Sequence, residues 1–431
     1  MAVKVQETML PEFDYYAPQY IQRSINGTYY DKLEVVGNSV KRGSPIEFKI
    51  PKSQDYTALH DTKLQIRVKV TKKSAAAVDA GSTDKQCVAN NLLHTIFENV
   101  EIHINGHMKE NAGGLYPYRA FLDTLLSLRH DAMDRRGVLE GWKKDAPGTW
   151  TTVEKPTSGP LKDRTEPFKS STIVTLYGRI HSDIMMQGLC IPPSTEIKIR
   201  LIPAKDNFAL IAEAAKELEV HIVEANLWVA RVSASPSLQV AHEKMFTQHV
   251  PILPMRKVTL KTDTIPAGLM TKKFTSLFDN ELPDRFILGF LSNGSKDGAL
   301  ASNPFQFQHF GVNSLQVTIG GRQIPSNAYT PNFAAGGDYI REYAALLEEL
   351  NVDEGDSTID ISKEEFADGY SLFPFRIVPR SRGGEILAAP VVGDLSLELK
   401  FAAALTEVVN VLIYYESRGF LEITPPKVDK E

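Results

Sequence analysis

The sequence predicts an all-β protein made of two tandem jelly-roll β-sandwiches with a few short helices. Three observations predict this fold: an internal repeat, segments that alternate apolar and polar residues, and turns rich in Gly and Pro. Alternation places every second side chain on the one face of a sheet that packs against a core. Many such strands with few helices indicate sandwiches or barrels. Two similar all-β halves favour a pair of jelly rolls.

The internal repeat consists of an alternating strand, a tight turn and a helix-like run, in that order. These parts occupy 100–104, 105–106 and 118–126 in the first half, and 315–319, 320–321 and 339–347 in the second. The two copies lie about half of the 431-residue chain apart. Repeats of about 20–50 residues are typical of solenoids and propellers. A repeat this long instead indicates two similar domains, and so an architectural protein more than one active-site pocket.

Further alternating segments predict strands in both halves. They lie at 46–50, 64–70, 173–176, 197–201 and 220–232 in the first half, and at 257–261, 286–291, 372–377, 395–401 and 408–414 in the second. Helices are predicted over 207–218, with Asp206 as the N-cap, and over 338–350. Ser362 and Glu365 have the capping-box spacing that starts a short helix.

The chain divides into two sandwiches with an arm, a junction and a tail. The predicted bounds are 1–30 for an N-terminal arm, 31–234 for the first jelly roll, 235–254 for a linker helix and junction, 255–425 for the second jelly roll and 426–431 for a tail. Pro11 and Pro18 disfavour a helix in the arm. Ser235 and Pro236 have the N-cap and first-turn pattern of a helix. This linker helix is expected to end near Phe246.

Composition argues against several classes of function. The net charge is −5 and no basic stripe is present, whereas a protein that neutralises many phosphates normally has one. No apolar run approaches the roughly 18 residues of a membrane span, and the N-terminus lacks an apolar signal core. Cys87 and Cys190 are expected to be free buried thiols. The chain is therefore expected to be soluble, made in a reducing compartment, and without direct binding to nucleic acid.

No catalytic residue, cofactor-binding residue or metal site is predicted. His242 begins a segment like a zinc-protease helix, but Phe246 stands where the second histidine must be. Gly289–Lys296 has the glycine spacing of a phosphate loop, but its lysine is misplaced. His103 and His107 flank a hairpin turn and could bind a metal. No suitably spaced carboxylate accompanies them, which favours exposed turn histidines.

Six segments resemble those of one capsid family. They are Tyr116–Ser127, Gly178–Ile184, Ile197–Leu201, Asn303–Phe307, Asp368–Phe373 and Leu397–Phe401. In this order, and from about residue 45 to 416, the chain resembles the double jelly-roll major capsid proteins of Polinton (Maverick) elements and adintovirus-like double-stranded DNA viruses. The arm and residues 130–169 match least.

Residues 130–169 are polar, rich in Gly and Pro, and longer than an ordinary loop, so a function or disorder is expected there.

The resemblance implies a non-enzymatic major capsid protein without a cofactor. A homotrimer would bring six jelly rolls into a pseudo-hexameric capsomer. Capsomers would tile an icosahedral shell around double-stranded DNA, in a virion assembled inside the host cell. The implied partners are neighbouring capsomers, penton proteins and minor capsid proteins, with no sequence-specific nucleic acid and no membrane span.

The aromatic arm is expected to bind a neighbouring subunit or a minor shell protein. Tyr15, Tyr16 and Tyr20 are the predicted anchors, because tyrosine buries area while its hydroxyl still hydrogen-bonds, and aromatic side chains dominate interface hot spots. A disordered terminus is the alternative for this segment. For the whole chain, the alternatives are a domesticated cellular jelly-roll protein and a glycan-binding or glycan-cleaving jelly-roll protein. A glycan-cleaving protein would need two positioned carboxylates.

Overall fold

The computed structural model covers most of the chain. It describes residues 22–37, 40–72, 86–128, 130–150, 159–212, 218–278, 281–350, 359–379 and 391–423. The predicted anchors Tyr15, Tyr16 and Tyr20 and the predicted tail at 426–431 lie outside these residues. Within the described ranges, no helix is long and apolar enough to cross a membrane.

The first half folds into a β-sandwich. Its strands are β1 (Ile25–Glu34), β2 (Ile46–Ile50), β3 (Tyr56–Lys72), β4 (Gln86–Val88), β5 (Phe97–Ile104), β6 (His107–Asn111), β7 (Val174–Gly178), β8 (Ile197–Pro203), β9 (Leu210–Ala212) and β10 (Leu218–Ala234). Two four-stranded antiparallel sheets, β1-β10-β3-β7 and β2-β8-β5-β6, contribute to one buried apolar cluster, and β4 pairs with β9. The predicted alternation is confirmed. On β2, for example, Ile46 and Phe48 are buried and Lys49 is exposed.

The second half repeats this architecture. Its strands are β11 (Ile252–Ile265), β12 (Thr271–Phe274), β13 (Arg285–Ser292), β14 (Val312–Ile319), β15 (Arg322–Tyr329), β16 (Leu372–Arg376), β17 (Leu395–Phe401) and β18 (Val409–Glu422). The sheets are β11-β18-β13-β16 and β12-β17-β14-β15. Taken in order, they correspond to β1-β10-β3-β7 and β2-β8-β5-β6. The prediction of two tandem jelly rolls is therefore confirmed.

The repeated turns have the same backbone form. Asn105 and Gly106 join β5 to β6 with φ values of 49° and 83°, and Gly320 and Gly321 join β14 to β15 with 54° and 86°. Positive φ at both central residues is the type I′ turn, which favours Asn-Gly and Gly-Gly because its twist matches that of the strands. The internal repeat of the sequence thus corresponds to equivalent hairpins.

The helices are short and join the strands. They are α1 (Leu92–Thr95), α2 (Tyr116–Ser127), α3 (His130–Ala132), α4 (Val138–Glu140), α5 (Pro160–Thr165), α6 (Asp183–Met186), α7 (Asp206–Ala209), α8 (Pro236–Phe246), α9 (Asn293–Asp297), α10 (Ile340–Glu349) and α11 (Lys363–Ala367). A π-helical turn at Met133–Gly137 and a 3-10 segment at Glu166–Ser171 complete them. Helix α8 has the predicted bounds. The predicted capping box of Ser362 and Glu365 is present at α11.

The predicted helix over 207–218 is wrong. Among the described residues of this range, 207–212 and 218, the helical part is α7, one turn long. The chain then continues into β9, whose residues Leu210–Ala212 are buried and pair with β4. Asp206 does not cap a helix. Its carboxylate accepts hydrogen bonds from the backbone N–H of Val220 at 3.1 Å and from Arg42 at 2.7 Å. Burial of the apolar run beside β4 outweighs the local helix preference, which is a weak bias of under about 1 kcal/mol per residue.

Strand β1 begins inside the predicted arm. From Ile25 onward the chain is hydrogen-bonded to β10, with Tyr30 opposite Ala230. The Tyr29 hydroxyl donates a hydrogen bond to Asp55 at 2.8 Å. The residues from Ile25 therefore belong to a sheet of the first sandwich, because pairing with β10 satisfies their backbone groups.

Helix α10 shows one apolar face to the second core. Leu346 is completely buried, Leu347 is half-buried, and Glu348 is exposed. The helix packs against β16.

We expect Leu346→Ala to lower the free energy of unfolding by about 2–5 kcal/mol, because the truncation loses buried apolar area and leaves a cavity. Chemical denaturation followed by circular dichroism measures this change. Glu348→Ala is the control and should change stability by less than about 0.5 kcal/mol; equal effects for both variants would contradict the predicted face.

Candidate functional site: the junction between the two jelly rolls

Helix α2 lies between the cores of the two sandwiches. Eleven of its twelve residues are buried. Tyr116 and Ala120 belong to the apolar cluster of the first sandwich, whereas Phe121, Leu122 and Leu125 belong to that of the second. Burial on nearly every side is typical of a helix inside a core, and the polar residues Arg119 and Asp123 of α2 are buried with it. The repeat-equivalent helix α10 has only two buried residues, so the two copies of the repeat have different roles.

Aromatic rings extend the contact from α2 into the second sandwich. The rings of Phe121 and Phe305 are stacked, with centroids 4.2 Å apart and an interplanar angle of 3°. Trp142 packs against Phe121 at 4.9 Å, and Trp150 packs edge-on against Tyr370 at 4.8 Å. Such pairs each contribute about 0.5–1.5 kcal/mol beyond the burial of area. The junction is therefore packed like a protein core.

Residues 130–169 supply much of this junction. The expectation of disorder is wrong for the described part, since it contains short helices and the buried side chains of Trp142 and Trp150. The expectation of a function stays a prediction. The Trp150 ring lies so close to Gly369 that a Cβ atom at this glycine would be 1.9 Å from it. Residues 151–158 lie outside the described ranges. Contacts with residues distant in the sequence, such as Phe121 and Tyr370, determine the structure of this segment, and no local pattern encodes them.

A buried ion pair beside Trp150 adds polar contacts between the two halves of the chain. Arg164 donates a hydrogen bond to Asp145 at 2.7 Å, and the side chains of both residues are almost completely buried. Asn303, from the second half, donates hydrogen bonds to Asp145 at 3.2 Å and to the backbone carbonyl of Trp150 at 3.3 Å. Because buried charges need both a counter-charge and hydrogen bonds, these polar contacts also fix the register of the two halves.

A second polar network is centred on Arg119 of α2. Its guanidinium lies 2.9 Å from Glu110, 2.5 Å from Asp183 and 3.6 Å from Asp123. Asp183 also accepts a hydrogen bond at 3.0 Å from the backbone N–H of Val258 on β11. One buried arginine thus connects three carboxylates of the first sandwich and, through Asp183, the backbone of the second.

Asp123 makes the other connection. It accepts a hydrogen bond at 2.7 Å from the hydroxyl of Tyr414 on β18, and its second oxygen lies 3.4 Å from Nδ1 of His181. Burial alone would raise the pKa of Asp123, but the His181 contact and the charge of Arg119 lower it below its usual value. Asp123 is therefore ionised at neutral pH.

Three metal-ligating side chains meet at the edge of this network. His94, Glu140 and His181 are all buried, and one ligand atom from each lies within 4.8 Å of the others. Burial lowers the pKa of His94 to about 4, so its imidazole is neutral at pH 7. These residues come from α1, the last residue of α4 and the segment after β7. Their sequence spacing follows no metal motif, so the sequence prediction missed them; His181 alone lies in one of the family-like segments.

The other residues considered from sequence are placed elsewhere. His103 and His107 stand on the two strands of the β5–β6 hairpin. His242 lies on α8, where its Nδ1 is 2.6 Å from the hydroxyl of Tyr56. Gly289–Lys296 spans the end of β13 and most of α9. The two cysteines are free, Cys87 buried and Cys190 half-buried.

Sequence comparison finds a relative in an animal. The chain is 22% identical over 377 residues to the uncharacterized Caenorhabditis elegans protein F54H12.2. The match covers 84% of this chain and 87% of that protein. No protein-family model matches the chain.

Structure comparison relates the fold to virus particles. A chain of the Sputnik virophage matches with a TM-score of 0.64 and 11% identity, over 99% of this chain and 92% of that one. The faustovirus major capsid protein matches with 0.57 and 9%, over 94% and 92%. The mavirus major capsid protein matches with 0.54 and 10%, over 98% and 95%. The fold is therefore that of the double jelly-roll viral major capsid proteins.

Proposed function

We propose that this chain is a non-enzymatic major capsid protein of a double-stranded DNA virus or Polinton-like element. One observation carries the proposal: two sandwiches with the same strand order are joined by a packed junction. This arrangement matches known major capsid proteins over more than 90% of their length. An enzyme needs a pocket that binds its substrate, whereas a shell needs a rigid subunit. Two similar sandwiches held in a fixed arrangement meet the second need. The buried aromatic and ionic contacts at α2 supply that rigidity.

Symmetry explains why two jelly rolls per chain are useful. A homotrimer has a threefold axis, and two similar sandwiches per chain give six similar units around it, so the capsomer approximates a hexagon and can tile a surface. Closed rings also cover exposed strand edges and apolar patches. Strand β1 is an edge strand and is largely exposed. Helix α8 has no buried residue, although it carries Val240 and Met245. These surfaces support contact with further copies of the chain.

Native mass spectrometry and negative-stain microscopy of the purified chain test the proposal. We expect a trimer at micromolar concentration that survives dilution, because obligate interfaces commonly bury more than about 2,000 Å². Microscopy should show pseudo-hexagonal capsomers or shells. A protein that stays monomeric at every concentration and forms no particles would contradict the proposal.

The proposed setting is a virion assembled inside the host cell. Neighbouring capsomers would be the main partners, with penton and minor capsid proteins closing and bracing the shell. The net charge of −5 fits a shell that encloses DNA without condensing it, because tight DNA binding relies on many phosphate contacts from Lys and Arg. Protection of enclosed DNA from nuclease in purified particles would test this part of the proposal.

The N-terminal arm is proposed to link neighbouring subunits. We expect deletion of residues 2–21, which leaves β1 complete, to preserve folding and trimerisation but to impair assembly of trimers into shells. Tyr15, Tyr16 and Tyr20 would be the anchors, so their combined replacement by serine should have the same effect. Phe420→Ser, which replaces an exposed aromatic residue on β18, is the matched control and should assemble like the wild type. Particle counts by microscopy measure assembly; normal shells from the deletion variant would exclude the arm as a linker.

A domesticated cellular protein is the second candidate. The match to a Caenorhabditis elegans protein favours it, because that relative is found in an animal. This candidate would keep the double jelly roll and form trimers, but no DNA-containing particles would be recovered from expressing cells. No observation on the described residues favours the glycan-binding or glycan-cleaving alternative.

A further inference from the structure

We propose that His94, Glu140 and His181 bind one divalent transition-metal ion, with Zn²⁺ as the best-fitting ion, at the edge of the junction. Two imidazoles and one carboxylate are the ligand set that Zn²⁺ accepts with a solvent molecule in the fourth position. In tetrahedral zinc sites the ligand atoms are about 3.4 Å apart, given bonds of about 2.0–2.1 Å. The ligand atoms here lie within 4.8 Å of one another, so a shift of about 1 Å would close them around an ion.

The first support is an orphan nitrogen. Nε2 of His94 is buried and has no hydrogen-bond partner. It faces Oε2 of Glu140 at 3.7 Å, which is too long for a hydrogen bond. Buried polar atoms without partners are rare in proteins and need an explanation. An ion between the imidazole and the carboxylate would satisfy both groups.

The second support is the set of outer contacts. A histidine that binds a metal through one ring nitrogen usually directs the other to a hydroxyl, a carbonyl or a carboxylate, which fixes the orientation of the ring. Nδ1 of His94 lies 2.9 Å from the hydroxyl of Tyr116. Nδ1 of His181 lies 3.4 Å from Asp123, which is the carboxylate–histidine arrangement of zinc sites. In both rings Nδ1 is engaged by these contacts, so Nε2 is the nitrogen left to bind a metal. The two rings pack edge to face with centroids 4.7 Å apart.

The third support is the placement of Glu140. Its side chain is 3% exposed and lies directly against Gly178, where a Cβ atom would be 2.5 Å from its Cγ. The nearest arginine, Arg136, is half-exposed and 3.9 Å away. This long and partly solvent-screened ion pair offsets little of the cost of burying the carboxylate. A bound dication would offset this cost.

The net charge around the three ligands also favours a bound cation. In the adjoining network the carboxylates of Glu110, Asp123 and Asp183 surround the buried guanidinium of Arg119, and the half-exposed Arg256 lies 3.7 Å from Asp123. Together with Glu140, these carboxylates outnumber the neighbouring arginines. The local net charge is therefore negative, which favours binding of a dication. The side chain of His181 is 11% exposed, so the site is in contact with solvent at this ring. The ion would hold α1, α4 and the segment after β7 together, and so act as a structural clasp at the junction.

Metal content of the full-length protein tests the proposal. The protein is stripped with EDTA, incubated with a slight molar excess of Zn²⁺ at pH 7.5, desalted, and assayed by mass spectrometry of the metal and by thermal denaturation. We expect one Zn²⁺ per chain, and a melting temperature that rises with Zn²⁺ and falls again with EDTA. A folded wild-type protein that retains no Zn²⁺ overturns the proposal.

Matched variants show whether the ion is at this site. Glu140→Gln keeps the side-chain volume and should lower Zn²⁺ affinity at least tenfold. Tyr116→Phe removes only the hydroxyl that orients His94 and should lower affinity about 10- to 100-fold, as loss of an outer partner typically does. The double variant H103A/H107A, in the β5–β6 hairpin, should bind Zn²⁺ like the wild type. Unchanged binding by Glu140→Gln, or loss of binding in H103A/H107A, would place the ion elsewhere.

Cobalt provides a test that does not depend on the folding of variants. Co²⁺ bound in place of Zn²⁺ at a site with two imidazoles and one carboxylate should give the intense visible absorption of four- or five-coordinate cobalt, and Zn²⁺ should displace it. The weak absorption of six-coordinate cobalt would show loose surface binding and overturn the proposal. This readout does not depend on whether the chain assembles into shells.

Discussion

Replacing Arg119 by alanine is expected to lower the free energy of unfolding by about 3–5 kcal/mol. The guanidinium is 4% exposed and is the shared counter-charge of Glu110, Asp123 and Asp183. Its removal leaves three carboxylates at the junction without their shared buried counter-charge, which is far more costly than the net contribution of a salt bridge. Chemical denaturation at one fixed protein concentration measures the change, because oligomerisation makes apparent stability depend on concentration.

Arg67→Ala is the control for this experiment. Arg67 forms an exposed ion pair with Glu224 at 3.0 Å, in which both side chains are about 40% exposed. Solvent screening limits such pairs to about 0–1 kcal/mol, so the control should be nearly as stable as the wild type. If Arg119→Ala were as mild as Arg67→Ala, the network at α2 would not hold the two sandwiches together.

Replacing Phe121 by alanine is expected to lower the free energy of unfolding by about 3–5 kcal/mol, the usual range for a buried aromatic side chain. Phe121 is completely buried and stacks on Phe305 of the second half. Its loss opens a cavity at the centre of the junction, so the two sandwiches should also unfold less cooperatively. Calorimetry of the variant should therefore show a lower and broader transition.

Phe420→Ala is the matched control, because Phe420 is 61% exposed. It should change stability by less than about 0.5 kcal/mol. A double-mutant cycle between Phe121 and Phe305 should give a coupling energy of about 0.5–1.5 kcal/mol. A coupling energy near zero would mean that the two rings contribute only through burial.

Much of the fold could be predicted from the sequence because its main signal is local. Alternation along five to seven residues encodes which face of a strand is buried, and it located β2, β8 and β17 almost to the residue. The same is true of turns: Asn105-Gly106 and Gly320-Gly321 favour positive φ whatever surrounds them. Capping chemistry at Ser362 and the proline at the start of α8 act within one helical turn.

The incorrect prediction was made where local preference and tertiary packing disagree. Residues 207–218 have an acceptable helix pattern, yet Leu210–Ala212 pair with β4 because burial is worth more than helix propensity. Residues 130–169 are polar and rich in Gly and Pro, yet Trp142 and Trp150 pack into the junction. Helices α2 and α10 follow equivalent hairpins, and only packing makes the first a buried connector and the second a surface helix.

The sequence by itself determined the two sandwiches, the repeat of strand, turn and helix that they share, and the position of the turn in each copy. Only the tertiary structure decided how the sandwiches are joined and which polar groups meet between them. Arg119 and Asp183 come together across 64 residues, and His94, Glu140 and His181 come from three separate segments. The physical reason is range: backbone preferences and alternation act within a few residues, whereas the burial of charge and of aromatic rings depends on surfaces that exist only after the chain has folded.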